Sequence, residues 1–68
     1  MSDINKTVRE NIRKFRKEEG LTQERLAFKT GLHRAYIGQI ERGEKHIGLT
    51  NLEKIATAMG KDIKLFFD

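Results

Sequence analysis

Residues 22–43 read TQERLAFKTGLHRAYIGQIERG, two short amphipathic patterns on either side of Gly31. In the first, Leu26, Ala27 and Thr30 recur at helical spacing and share one face. Thr22 can cap that helix, and Glu24 in its first turn suits the helix dipole. Gly31 supplies a permissive backbone for a tight turn, and Leu32 re-enters the core. The second pattern runs from about His33 or Arg34 to Arg42, with Ile37 and Ile40 as its buried pair and Gly43 as its stop. Arg34, Tyr36, Gln39 and Arg42 are left pointing outward. One helix braces; the other holds polar side chains away from the core.

Working outward, Ile4, Val8, Ile12 and Phe15 form a stripe of helical period, with Lys6, Arg9, Arg13, Lys14 and Lys17 on the solvated faces. Ser2, Asp3 or the box Thr7-x-x-Glu10 are the competing starts of this first helix, and Gly20 ends it. Glu44 to Leu49 reads as a loop. Thr50-Asn51-Leu52-Glu53 is a capping box that places Thr50 at the N-cap of a fourth helix. Leu52, Ile55, Ala56 and Met59 supply its apolar face before Gly60, and Asp62 caps a short last helix holding Ile63, Leu65, Phe66 and Phe67. With no strand period and no proline, the expected fold is all-α: five helices in a single domain over residues 1–68, with a helix-turn-helix at about 22–42.

A chain of 68 residues buries only ~60% of its unfolded surface, so its stability is expected to be marginal. The absence of cysteine excludes disulfides and a Cys-rich metal site, which leaves self-association as the remaining support. Fourteen Lys and Arg against ten Asp and Glu give a net charge of +4, suited to an anionic partner, nucleic acid before membrane. No apolar run approaches the ~18 residues of a membrane span and the N-terminus lacks a secretory apolar core, so a cytoplasmic protein is expected. Enzyme chemistry finds no foothold. There is no Cys nucleophile, no phosphate-cradling glycine loop and no third ligand beside His33 and His46, and Glu18–Glu19 reads as solvated charge. No metal, cofactor or small-molecule effector is implied.

Leu21-Thr22-Gln23, Leu26-Ala27, Gly31 and Ile40-Glu41-Arg42-Gly43 stand at the spacing of the lambda-repressor-like helix-turn-helix (XRE) family, which the chain resembles over nearly its whole length. Leu32-x-Arg34-x-Tyr36-Ile37 followed by Ile40-Glu41-Arg42 looks most like the controller proteins of restriction–modification systems. The resemblance implies a five-helix DNA-binding domain that acts as a homodimer on a palindromic operator in double-stranded DNA. It implies a transcription regulator of its own promoter and of linked restriction–modification genes.

The residues then take roles. Gln23 opens the second helix, where its amide and nearby backbone N–H groups can clamp a phosphate, as family members with Gln there do; the alternative is a solvated side chain. Arg34, in the first turn of the recognition helix, can meet guanine O6 and N7 in a bidentate pair; the alternative is pairing with a Glu or with phosphate alone. Ala35 can touch a thymine methyl and Gln39 can read adenine. Tyr36 faces DNA in the matching family position, touching phosphate or a flexible step; the alternative is packing on the second helix. His33 stands at an N-cap where the family more often has Ser, Thr or Asp, and a poor cap there costs helix stability. Arg42 and Lys45 flank the helix end and are expected to meet the backbone. Lys14, Lys17 and Lys29 add diffuse attraction. Arg16 and Glu41 resemble a structural ion pair of phage repressors that sets the angle of the recognition helix.

Met59, Leu65, Phe66 and Phe67, in the region 59–68, are the expected dimer interface, because two adjacent Phe residues cannot both face one way in a helix. A twofold dimer would set two recognition helices roughly 34 Å apart, one turn of DNA. The competing function is an antitoxin-type module that caps a toxin through its apolar C-terminus and regulates its own gene; a stoichiometric second protein on purification would mark it.

Overall fold

The computed structural model describes residues 3–68. Its elements are α1 (Ile4–Glu18), α2 (Gln23–Thr30), α3 (Arg34–Glu41), α4 (Leu49–Ala58) and a 3₁₀ turn, Ile63–Phe67, with no strand among the described residues. The expected fifth helix is thus a five-residue 3₁₀ segment, wound i→i+3 and slightly longer than most such turns. Of the competing starts of α1, Ser2 lies outside the described residues. The carboxylate of Asp3 accepts the N–H groups of Asn5 and Lys6 at 3.1 and 3.2 Å, and Thr7 already sits inside the helix.

The turn between α2 and α3 is built from local chemistry. Thr22 accepts the Arg25 N–H at 3.0 Å and opens α2. Gly31 closes it at φ +74°, a left-handed conformation that L side chains rarely adopt. The Thr30 hydroxyl donates back to the Leu26 carbonyl at 2.9 Å and accepts the Leu32 N–H at 3.2 Å, tying the end of α2 to the entry of α3.

The start of α4 departs from expectation. Gly48 is its N-cap, no side chain caps it, and Leu49 and Thr50 are already helical, so the Thr50–Glu53 box does not form. The cause lies upstream. Ile47 packs against the core, which leaves Gly48 as the corner residue and winds the chain before Thr50 can adopt the extended cap conformation.

Val8 and Ile12 of α1, Leu26 of α2, Ile37 and Ile40 of α3, and Leu52 and Ile55 of α4 meet in one core, while Ile4 at the head of the stripe stays half exposed. Phe66 completes that core. It is fully buried, its ring 5.0 Å from that of Phe15 in an edge-on arrangement, and Asn11 Nδ2 donates to the carbonyls of Phe66 and Asp68 at 2.9 and 3.1 Å. Met59 is buried beside it. Two of the four residues expected at a dimer interface are therefore core residues of the monomer. Leu65 and Phe67, 40% and 38% exposed, remain on the surface because a three-residue winding turns them away from the side that Phe66 faces. No helix among the described residues is long and apolar enough to cross a membrane.

Candidate nucleic-acid interface

The second helix of the α2–turn–α3 unit is held from beneath by Ile37 and Ile40. It is held from its end by a polar cluster. Arg16 Nε and Nη2 donate to Glu41 Oε2 and Oε1 at 2.7 and 3.0 Å, a bidentate fork whose side chains are only 10% and 4% exposed. Arg16 Nη1 also donates to the Leu21 carbonyl at 2.7 Å, and Gln23 Nε2 donates to Glu41 Oε1 at 3.1 Å. One carboxylate thus collects α1, α2 and α3. No buried side-chain N or O among the described residues lacks a partner, so the cluster is satisfied as well as desolvated.

The outward surface of α3 carries the remaining expected contacts. His33 caps the helix despite its type: the Nδ1 lone pair accepts the Ala35 N–H at 3.1 Å, which leaves Nε2 as the protonated nitrogen of the neutral ring. Arg34 and Ala35, the next two residues, are exposed. Arg34 Nη1 donates to Glu24 on α2 at 3.2 Å, in a pair whose side chains are 67% and 76% exposed. Gln39 is half-buried.

At the far end Arg42 forks onto Glu44, just past the helix. The hydrogen bond from Arg42, helped by Coulombic attraction, holds the Glu44 carboxyl below its ordinary value, and the same hydrogen bond raises the Arg42 guanidinium above its own. Gly38 gives this arginine room. A methyl there would come within 3.0 Å of Arg42 Nη1 and 3.4 Å of Gln23 Oε1, so Arg42 folds back along α3 toward the start of α2. Lys45 is exposed beyond it. Tyr36 is half-buried, and its Oη accepts a hydrogen bond from Asn51 Nδ2 of α4 at 3.0 Å.

Arg34, Ala35 and Gln39 therefore share α3 with Arg42 as its C-cap, Gln23 reaches its end through Glu41, and Tyr36 leans on α4. The alternative expected for Arg34, pairing with a Glu, is what the structure shows, with Glu24 as the partner, whereas Glu44 beside Arg42 and Asn51 beside Tyr36 were not expected. An acid two residues after Arg42 was a legible sign for Glu44. Nothing local marks Asn51, which meets Tyr36 only because α4 crosses beside α3.

A short helix carrying polar groups outward, docked on a partner helix through a glycine turn, defines a helix-turn-helix protein. A helix-turn-helix family model matches residues 12–66, and the chain belongs to that family. It is 41% identical over 61 residues to the control protein C.SmaI of Serratia marcescens, covering 90% of this chain and 73% of that one. The control protein C.BamHI of Bacillus amyloliquefaciens is 42% identical over 60 residues, covering 87% of this chain and 74% of its own. The crystal structure of the restriction–modification controller protein C.AhdI from Aeromonas hydrophila superposes with a TM-score of 0.88 at 38% identity, over 93% of this chain and 96% of that one. The chain is a helix-turn-helix DNA-binding regulator closely related to restriction–modification control proteins.

Proposed function

We propose that this chain is a sequence-specific transcription regulator that binds a palindromic operator as a homodimer and controls its own promoter and linked restriction–modification genes. The observation that carries the reading is α3: fixed on its inner side by Ile37, Ile40 and the Arg16–Glu41 fork, it presents Arg34, Ala35, Gln39 and Arg42 on its outer side. In this reading Arg34 meets a guanine edge, Gln39 an adenine and Ala35 a thymine methyl. Arg42, Lys45, His33 Nε2 and the N–H groups at the start of α2 meet phosphates, with Gln23 held at that start by Glu41. Leu65 and Phe67 are the apolar side chains left for a second copy. A relative solved as a nucleoprotein complex, C.Esp1396I, 37% identical, supports DNA as the partner.

The test is salt dependence. A dimer neutralising ~6–10 phosphates loses about 10³–10⁵ in affinity for a duplex between about 50 and about 200 mM salt. Affinity unchanged over that range would overturn the reading.

A further inference from the structure

We propose that Asn51 is a positioning residue for DNA recognition, acting through the Tyr36 hydroxyl; this rests on the function proposed above. Tyr36 Oη accepts from Asn51 Nδ2 at 3.0 Å, so one oxygen lone pair is taken by α4 and the phenolic O–H is left to donate elsewhere. Neither side chain is fully buried. Among the described residues no other hydrogen bond reaches either side chain. Tyr36 lies on α3 two residues beyond Arg34 and three before Gln39, so a donor there sits amid the groups that would meet DNA.

A phenolic O–H prefers the plane of its ring, and an unconstrained one can point to either side. One that accepts from a fixed amide has its proton steered into the remaining directions, away from Asn51. Ordering the donor before binding lowers the cost of ordering it at the interface. The acceptor on DNA is an oxygen or ring nitrogen, from either a phosphate or a base edge. α4 thereby contributes to recognition without touching DNA.

The experiment uses the full chain and two probes: the duplex that the wild type selects from a random-sequence library, and a scrambled duplex of the same composition. Three variants are measured against both: Tyr36→Phe, Asn51→Ala and the pair combined. Tyr36→Phe removes the donor and is expected to weaken binding about 10–30-fold, as for a hydrogen bond to a charged or base acceptor. Asn51→Ala leaves the donor unsteered and is expected to cost about three- to fivefold. Adding Asn51→Ala to Tyr36→Phe is expected to cost less than about twofold, because nothing remains to be steered. Asn51→Leu, which fills more of the space that Asn51 leaves, repeats the test should the alanine variant unfold.

Equal losses from the two single variants would mean the bond only ties α3 to α4, and would overturn the proposal. So would a full Asn51→Ala loss persisting in the Tyr36→Phe background. Loss confined to the selected duplex assigns the acceptor to a base edge, and equal loss on both duplexes assigns it to phosphate; either supports the proposal when the ordering of variants holds. A wild type that enriches no sequence overturns the function itself and this inference with it, which separates the two failures.

Discussion

Three arginine–carboxylate pairs surround α3, and the difference that decides their use is exposure. Arg16–Glu41 lies beneath the helix with both side chains nearly sealed, bidentate and further satisfied by Leu21 and Gln23. Arg34–Glu24 and Arg42–Glu44 lie on its outer surface with all four side chains more than half exposed. Burial turns one chemistry into two uses. The sealed pair cannot let go, because a single buried charge left behind is expensive, so it fixes where the helix points. The exposed pairs are worth little in water, and in the function proposed above they are exchanged for a phosphate or a guanine.

The sharpest way to break this contrast is Arg16→Ala. It is expected to cost about 3–5 kcal/mol in urea denaturation, since Glu41 would stay buried without its partner. Replacing both residues, Arg16→Met with Glu41→Leu, is expected to cost less than either single change because no charge is stranded. A double variant as unstable as the single ones would show that the fork stabilises in its own right.

Next in size is Arg34→Ala. Breaking an exposed pair should leave the denaturation midpoint nearly unchanged, while preference for the selected duplex over a scrambled one falls by about 1–3 kcal/mol, the discrimination of one bidentate base contact. Competition binding with the two duplexes measures it, and retained preference would remove Arg34 from direct readout.

The smallest effect belongs to Glu44→Gln. Freeing Arg42 is expected to tighten binding about two- to fivefold on either duplex, which distinguishes a phosphate contact from a base contact. The same variant has a pH signature. The folded-state carboxyl of Glu44 is held below its ordinary value of 4.5, so its contribution to stability is present above that value and is lost as pH falls through the lower one. The small difference between wild type and Glu44→Gln in urea midpoint should therefore persist at neutral pH and vanish in acid.

Much of this was legible in the residues alone, and the failures have physical reasons. Thr22, Leu26, Ala27, Gly31, Ile37 and Ile40 declare two helices and a turn, because period and capping act over a few residues. The start of α4 was misread because a capping box forms only if its Thr is still extended, and the seating of Ile47 on the core decides that first. Phe66 and Phe67 look interchangeable in the sequence; the Asn11 amide, 55 residues away, fixes the turn that buries one and exposes the other. The cap at His33 uses an imidazole nitrogen where a hydroxyl or carboxylate is usual, which spacing alone does not reveal.

The sequence by itself determined α1 to α3, the body of α4, their inner faces and the family, since these rest on spacing within single turns and on motifs no longer than a turn or two. Only the tertiary structure decided which charged groups are sealed and which are free, which apolar residues close the core, and that α4 reaches Tyr36. Those outcomes depend on desolvation, and desolvation is set by what folds over a residue rather than by its neighbours in the chain.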